Sequence, residues 1–407
     1  MKRYLGVALG IIAALGGFVD IGELVFNSQA GALFGYRTLW AVLVGVIVSV
    51  VLAELSGRVA IVGRKANFDL VKEQYPRWLS TTTLVAGLLV CLITLSAELG
   101  GLGLVLHYVL GWNEGFFTLV GLLIIVAASL FLSFSMIERV FGYLGLGLVV
   151  YLIAALHHGP AWHEIGRGFL PSGGGFQYWY FVVGMTAAAI MPYEIYFYSS
   201  GAIEEKWTTK DIPVNRANSG LGFPLGGLIA ASLTVVAAQQ LMPLQLTPDS
   251  LATVLQQALH AIGPIGFYAA AIGAFAAIGG ATIDSAFSCA YALAQHQCWT
   301  WGESKGIRGA KRWFATMLAA AGIGFAVVQT RVDPVQLTEY AVIASAIAMP
   351  LSFYPIVRVS QDREVMGQNA SGPVARPMAW LSYVVVCAVA VAGPILMLVT
   401  HTGELKG

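Results

Sequence analysis

The chain has 407 residues, of which 57% are hydrophobic and 11% charged, with a net charge of +1 and a mean hydropathy of +0.76. A water-soluble domain of this length needs many more charged residues on its surface, so lipid must cover most of this protein. The net charge provides no basic surface for nucleic-acid phosphates, so we expect no nucleic-acid partner. The four cysteines show no paired spacing and are expected to be core residues, neither disulfides nor a zinc site.

Apolar runs of about 20 residues, the length that crosses a bilayer, predict eleven transmembrane helices. Their expected positions are 4–26, 38–62, 81–110, 115–135, 137–156, 177–200, 219–242, 264–295, 313–330, 337–357 and 378–400. The first run follows Met1-Lys2-Arg3 without a small-residue cleavage site, which favours a retained span over a removable signal peptide. We therefore expect one all-α transmembrane domain over residues 1–407.

The basic residues predict the orientation of these spans. With the N-terminus in the cytoplasm, all but four of the 22 Lys and Arg residues fall in segments on the cytoplasmic side. The four exceptions are Arg37, Arg167, Arg331 and Lys406. This asymmetry is typical of cytoplasmic loops. We expect a multi-pass protein in the lipid of the cell inner (plasma) membrane, with a cytoplasmic N-terminus and an outside C-terminus.

Several carboxylates lie within the predicted spans. They are Asp20, Glu23, Glu54, Glu98, Glu194 and Asp284. A carboxylate in the hydrocarbon region costs several kcal/mol unless a proton, a basic partner or a bound cation neutralises it. The sequence predicts no Lys or Arg well inside any span, so protons and cations are the expected neutralisers. This pattern indicates that the protein handles a cation.

Two of the predicted spans contain interruptions. The first holds Asp20 and Glu23 on either side of Gly22, and the sixth holds Pro192, which removes a backbone donor, followed by Glu194. They fall at corresponding points of spans 1–5 and 6–10. Paired broken helices of this kind are typical of midplane ion sites in inverted-repeat transporters. The freed carbonyl groups at each break are further candidate cation ligands.

At these residues the chain resembles the NRAMP family (natural resistance-associated macrophage proteins), which transports divalent metals together with protons. The resemblance extends over nearly the whole length and rests on several short motifs in the family's order. They are Asp20-Ile21-Gly22-Glu23, Gln29-Ala30-Gly31, Phe34-Gly35-Tyr36, Leu55-Ser56-Gly57, Tyr75-Pro76-Arg77, Ala97-Glu98, Met191-Pro192, Thr316-Met317, Asp333-Pro334 and Tyr354-Pro355.

The resemblance implies a LeuT-type fold of two five-helix inverted repeats with broken helices 1 and 6. The repeats are expected over 1–156 and 177–358, with an eleventh helix over 378–400. Transferred residue by residue, the family's metal ligands fall on Asp20, Glu23, Ala188 and Met191. We add Glu194 to these candidate ligands because it follows the second break directly.

This sequence departs from the family at several functional positions. Glu23 stands where the family has an amide, and Tyr193 and Glu194 replace a His-Asn pair. The remaining departures are Tyr198 for a second histidine, Leu95 for an aspartate, Trp313 for an arginine (with Arg312 adjacent), Val342 for a glutamine and Asp284 for a small or hydroxyl residue. The family's proton relay is therefore largely missing.

The resulting hypothesis is a secondary transporter of divalent metal ions, not an enzyme, with no resident cofactor. The Met191 thioether favours Mn2+ or Fe2+, and the extra carboxylates make Mg2+ next in preference. Proton coupling is either absent or rerouted through Glu98 and Asp284 together with the site acids, because acids packed together can hold a proton; Tyr198 is a further coupling or gating candidate.

Two alternatives to metal transport remain open. A carrier of organic cations is compatible with the carboxylates, although Met191 disfavours it. A non-transporting sensor or scaffold on the same fold is disfavoured because the sequence contains no large soluble output domain. In each case we expect a monomer.

Overall fold

The structure, a computed structural model, describes residues 19–246, 248 and 250–401. Within these ranges the chain is helical, with short connections and no β-strand. The α-helices are α1 (Ile21–Phe34), α2 (Leu39–Gly63), α3 (Asn67–Gln74), α4 (Arg77–Leu110), α5 (Glu114–Phe131), α6 (Phe134–Gly145), α7 (Val149–His157), α8 (Trp162–Gly168), α9 (Phe176–Ala188), α10 (Pro192–Glu204), α11 (Ile212–Ala217), α12 (Phe223–Gln240), α13 (Leu251–Ile262), α14 (Pro264–His296), α15 (Gly306–Gly309), α16 (Lys311–Val328), α17 (Pro334–Val359), α18 (Arg363–Met366) and α19 (Ala375–Thr400).

Ten helical stretches in the described part of the chain are long and apolar enough to cross a membrane. The first, Ile21–Gly63, contains α1, one 3-10 turn and α2, so it covers the end of the first predicted span and the whole of the second. The other nine stretches correspond one to one with the remaining predicted spans. Residues 4–18 of the first predicted span lie outside the described residues. The chain is a multi-pass membrane protein.

The structure describes the second of the two predicted breaks in full and only the C-terminal side of the first. The sixth span is divided into α9, which ends at Ala188, and α10, which begins at Pro192. Near the first, α1 begins at Ile21 immediately after Asp20. Glu23 therefore lies inside the first helical turn, not in an unwound segment as the predicted interruption implied. The reason is that Asp20 itself caps the helix by accepting a hydrogen bond from the Glu23 backbone N–H.

Close helix packing brings the second break next to α2. A Cβ atom at Gly45 would lie 2.6 Å from the Ala189 side chain, so only glycine permits this approach. One turn farther along α2, Ser49 donates a hydrogen bond from its hydroxyl to the Ala189 carbonyl oxygen. The unwound segment is thus held against α2.

The helices α5, α16 and α19 lie at the periphery, whereas α4, α9, α10 and α14 are largely enclosed by other helices. On the outer helices large apolar side chains remain exposed, as with Phe131 of α5 and Leu398 of α19. In a membrane protein such side chains face lipid. The central helices, by contrast, carry the polar residues of the site described next.

Candidate functional site

Asp20 is the N-cap of α1. Its backbone is extended, with φ −96° and ψ −171°, and its Oδ1 atom accepts a hydrogen bond of 2.9 Å from the Glu23 backbone N–H. The side chain is buried. Because the first backbone N–H groups of a helix carry partial positive charge, they stabilise a carboxylate at this position. The local sequence therefore holds a negative charge at the inner end of a half-helix.

Glu23 is buried one turn farther into α1 and is held by Asn27. The Asn27 side-chain amide donates to Glu23 Oε2 and also to the Glu23 backbone carbonyl oxygen, the latter at 2.8 Å. Asn27 is in turn oriented by Thr234 of α12, whose hydroxyl donates to Asn27 Oδ1 at 3.3 Å. The Glu23 Oε1 atom has no hydrogen-bond partner among the described residues. One carboxylate oxygen is thus available to a ligand while the other is fixed.

The second break supplies backbone groups. Ala188 ends α9, and the residue four positions later is Pro192, which has no N–H to donate to the Ala188 carbonyl oxygen. Met191 follows as the buried N-cap residue of α10. A carbonyl oxygen and a thioether sulfur are therefore both placed at the interruption, as the family resemblance implied.

Tyr193 connects the two breaks. Its hydroxyl donates a hydrogen bond of 3.1 Å to Asp20 Oδ2. Its backbone carbonyl oxygen accepts a hydrogen bond of 2.8 Å from Ser288 of α14. Tyr193 is fully buried, so these bonds form away from bulk water, where they are stronger. The first turn of α10 is thus fastened both to the α1 N-terminus and to α14.

Gly22 lies where the start of α1 meets the second break and α17. A Cβ atom at this position would lie 3.6 Å from the Ala188 side chain and 3.2 Å from a methyl group of Val342 on α17. The structure therefore brings Asp20, Glu23 and Ala188 to one place. Val342, near which the resemblance implies a glutamine, contributes an apolar methyl group here.

Three further acids surround Tyr193. Glu98 of α4 is fully buried, and the side chains of Ser285 and Tyr193 lie within weak hydrogen-bonding reach of its carboxylate. Glu194 is also buried, with Oε1 unpartnered, and Asp284 of α14 is partly exposed. All three lie close enough to Tyr193 and to one another to interact electrostatically, and Glu194 interacts with Asp20 and Glu23 as well. The structure thus places Glu194, a candidate ligand, and the coupling candidates Glu98 and Asp284 near one another.

None of these five carboxylates forms an ion pair in the part of the chain that the structure describes; the ion pairs found there involve Glu54 and Glu73. No three His, Cys, Asp or Glu side chains of that part are grouped in metal-binding geometry either. The site therefore combines carboxylate, carbonyl and thioether groups around a shared region and lacks a closed cage of acids. Groups of these kinds are suited to a cation that keeps some of its water ligands.

Glu54 does not belong to the group of acids around Tyr193. The prediction that a proton or a cation neutralises it was wrong. Its carboxylate pairs with Arg58, one turn later in the same helix, at 2.9 Å, and with Arg216 at 3.4 Å. The buried Arg58 lies within α2, so a basic residue is present inside a span after all. The i, i+4 spacing of Glu54 and Arg58 was the available signal.

Tyr198 lies more than one turn beyond the break on α10, away from the Asp20 carboxylate. Its hydroxyl donates to the Asn215 backbone carbonyl oxygen at 3.3 Å, and its ring packs against Trp207. Among the acids it interacts electrostatically with Glu54, Glu138 and Glu205. The structure therefore places this coupling candidate beside the Glu54 ion pairs.

The position that corresponds to the family's proton-route arginine is occupied by Trp313. This side chain is fully buried against the rings of Phe287, at 4.9 Å between centroids, and Tyr291, at 5.2 Å. The adjacent Arg312 is exposed and its guanidinium lies over the Trp299 ring. No guanidinium is therefore present in the interior at this point of α16.

Four polar residues that hold the site were missed by reasoning from sequence: Ser49, Asn27, Thr234 and Ser288. Asn27 carried a usable signal, because it lies one helical turn after Glu23 and both point to the same face. The other three come from segments remote in sequence, and no local pattern marks them.

Comparison with known proteins gives a consistent result. The model of the family described as natural resistance-associated macrophage protein-like matches residues 10–396. A "Divalent metal cation transporter MntH" of Deinococcus radiodurans is 24% identical to this chain, covering 95% of this chain and 88% of that protein. A protein of the same name from Ralstonia nicotianae is also 24% identical, covering 93% and 87%.

Solved structures confirm the predicted LeuT-type architecture. A manganese transporter of Eremococcus coleocola superimposes with a TM-score of 0.76 at 18% identity, covering 98% of this chain and 88% of that chain. MhsT, solved with L-phenylalanine, superimposes with a TM-score of 0.64 at 16% identity, covering 96% and 98%. At such identities the similarity concerns the fold.

Proposed function

Because this chain belongs to the natural resistance-associated macrophage protein-like family, we propose that it is a secondary transporter that carries a divalent metal ion across the membrane. One observation supports this above all: Tyr193, just after the second break, bonds to Asp20 at the start of α1, amid buried acids that have no ion-pair partner in the described ranges. Buried carboxylates without basic partners require a cation. Relatives that carry the name divalent metal cation transporter agree with this proposal.

The proposed ligands are Asp20, Glu23, Glu194, the Ala188 carbonyl oxygen and the Met191 sulfur. The thioether is a soft ligand that favours Mn2+ and Fe2+ over Ca2+. The three carboxylates are hard ligands that also suit Mg2+, which keeps part of its water shell. The preferred cargo is therefore Mn2+ or Fe2+, with Mg2+ next, and the additional acids distinguish this site from the family pattern.

Proton coupling is proposed to be absent or to use a different route from that of the family. Leu95 and Trp313 are buried apolar or aromatic residues where the resemblance implies an aspartate and an arginine. A proton that accompanies the metal then has Glu98 and Asp284 beside the site acids as carriers. Internal acidification of proteoliposomes during Mn2+ uptake distinguishes absent coupling from rerouted coupling. If the wild type causes no acidification, transport is uncoupled. If the wild type acidifies the lumen and Glu98→Gln does not, protons use the rerouted path.

The orientation and the internal symmetry complete the proposal. We place the protein in the inner (plasma) membrane as a monomer, with the N-terminus in the cytoplasm and the C-terminus outside. Residues 1–156 and 177–358 form the two inverted repeats, and 378–400 forms the eleventh helix. Impermeant thiol labelling of cysteines introduced at Arg331 and Arg363 tests the orientation, since only the former is expected to react from outside.

Uptake of Mn2+, Mg2+ and Ca2+ into proteoliposomes by the wild type and by Asp20→Ala tests the proposed function. We expect Asp20→Ala to abolish uptake of Mn2+ because it removes both the ligand and the N-cap of α1. Glu364→Gln, which changes an exposed carboxylate of α18, is the matched control and should transport normally. Unchanged uptake of every ion by Asp20→Ala would overturn the site assignment.

A further inference from the structure

A cavity of about 320 Å³ lies where three parts of the chain meet at one end of the helix bundle. Glu54 and Arg58 of α2 line it from one side, Arg216 of α11 from a second and Ala375 of α19 from a third. Because Ala375 is the first residue of the last span, the cavity lies at the level where that span enters the membrane. None of the proposed metal ligands is among its lining residues.

The charged groups of the cavity leave one positive charge unbalanced. The Arg58 Nε atom donates to both carboxylate oxygens of Glu54, at 2.9 and 3.2 Å, so these two side chains neutralise each other. Arg216 adds a second guanidinium, which donates to Glu54 only through Nε at 3.4 Å. Its side chain is 65% exposed, and its terminal nitrogens remain available as donors. The cavity is therefore suited to an anion.

Hydrogen bonds hold the walls of the cavity in place. Arg58 is only 3% exposed, and its guanidinium also donates to the Ser371 hydroxyl at 3.2 Å, which ties α2 to the segment before α19. On the other wall Ser219 lies in a π-helical turn, Asn218–Gly222, and donates to the Asn215 carbonyl oxygen at 2.9 Å. Turns of this kind are frequent at functional sites. The cavity is thus a preformed feature of the fold.

Exposed apolar side chains lead away from the cavity into the membrane. On α2, Leu43 and Ile47 share a helical face with Glu54 and are nearly half exposed. α2 packs against both α12 and α19, which begin beside the cavity. The first turns of these two helices also carry exposed apolar side chains, namely Leu225, Leu228, Met378 and Leu381. A cationic cavity next to lipid-facing surfaces matches a phospholipid, which joins a charged headgroup to acyl chains.

We infer that this cavity binds the headgroup of an anionic phospholipid, with Arg216 donating to the phosphate and the acyl chains lying along the exposed faces of α2, α12 and α19. A guanidinium is well suited to phosphate oxygens because it can donate to two of them at once. In the proposed orientation the cavity faces the cytoplasmic leaflet, which is rich in anionic lipids. A zwitterionic lipid is disfavoured because the unbalanced positive charge repels its ammonium group. The inference does not depend on which ion is transported.

Native mass spectrometry of the delipidated full chain tests this site, with phosphatidylglycerol and phosphatidylcholine of identical acyl chains as the added lipids. We expect the wild type to bind phosphatidylglycerol about tenfold more tightly than phosphatidylcholine. Arg216→Gln should lose this preference because it removes the unbalanced charge. Arg308→Gln makes the same change at an exposed arginine of α15 that does not line the cavity, and it should retain the preference.

Ala375→Leu provides a second test that leaves the charge unchanged. The larger side chain reduces the volume of the cavity, so phosphatidylglycerol should bind more weakly. Thermal denaturation in detergent without added lipid verifies that each variant is folded.

A loss of the preference in Arg216→Gln or weaker binding in Ala375→Leu, with Arg308→Gln unchanged, supports the lipid site. Equal binding of the two lipids by the wild type overturns it, as does an equal loss in Arg308→Gln or wild-type binding by both cavity variants. If inorganic phosphate displaces phosphatidylglycerol at equal concentration, the occupant is a free anion and the lipid site is wrong. Metal uptake plays no part in these measurements, so their failure leaves the proposed function in place.

Discussion

The hydroxyl of Tyr193 donates a hydrogen bond of 3.1 Å to Oδ2 of Asp20, and so joins the interruption of one helix to the start of another. Tyrosine remains an uncharged donor near neutral pH, whereas a histidine can gain a proton. The bond therefore fixes the Asp20 carboxylate without adding positive charge that would repel a cation. It also links α1 to α14 through the Ser288 bond to the Tyr193 backbone.

Removing this donor should weaken transport. In Tyr193→Phe, Asp20 loses a hydrogen bond to a charged acceptor worth about 1.5–3 kcal/mol, so its carboxylate is less well positioned. We expect kcat/KM for Mn2+ uptake to fall about tenfold or more. Initial rates in proteoliposomes measure this change. Tyr268→Phe, which alters an exposed tyrosine of α14, should have no effect, and equal rates for the two variants would contradict the positioning role.

Met191→Leu should change the ion preference more than the stability. Leucine keeps the volume of methionine, so the fold is expected to tolerate it, but it removes the only soft ligand proposed for the site. We expect the preference for Mn2+ over Mg2+ to fall by about tenfold, equivalent to one ligand worth about 1.4 kcal/mol. Competition of Mg2+ against labelled Mn2+ uptake measures the ratio. An unchanged ratio would show that the sulfur does not contact the ion.

Asn27 should affect Glu23 more strongly than Thr234 does. In Asn27→Ala, Glu23 Oε2 loses its donor, and the side chain is no longer held in one orientation. We expect the KM for Mn2+ to rise several-fold with little change in the folded fraction. Thr234→Val removes only the bond that orients Asn27, so its effect should be smaller. The reverse order of the two effects would argue against this chain of hydrogen bonds.

The Glu54 ion pairs should contribute to stability. Glu54→Gln leaves the buried Arg58 without its carboxylate partner and should cost about 2 kcal/mol. Arg216→Gln breaks only the exposed pair, where the Arg216 side chain is 65% exposed, and should shift the melting temperature little. Thermal denaturation in detergent compares them. Equal shifts for both variants would show that the Arg58 pair is no stronger than a surface pair.

The helices and their breaks were predictable from sequence because both depend on local patterns. Apolar runs of membrane length are visible directly. A proline alone does not mark a break, because Pro192 begins α10 whereas Pro350 and Pro355 lie inside the continuous helix α17. The start of α1 at Ile21 was less predictable, since it depends on Asp20 turning its side chain to its own backbone.

The polar contacts of the site were predictable only in part. Asp20 and Ala188 are 168 positions apart in sequence. Their proximity was predicted from the family resemblance and not from the pattern of apolar and polar residues. The bonds from Ser49 and Ser288 depend on how α2 and α14 pack, which a single sequence does not reveal. The buried Arg58 was overlooked because hydropathy shows only that it lies near the end of a span. Hydropathy does not show whether its side chain points inward.

Both carboxylate oxygens of Asp20 are already engaged, Oδ1 by the Glu23 N–H and Oδ2 by the Tyr193 hydroxyl. A carboxylate offers about four lone-pair positions, so an arriving ion must share Asp20 with two internal donors. These two donors compete with the ion for the carboxylate. They keep the carboxylate hydrogen-bonded after the ion has left, and they limit the affinity for the ion while it is bound. A carrier benefits from such moderate affinity, because an ion bound too strongly would be released too slowly for turnover.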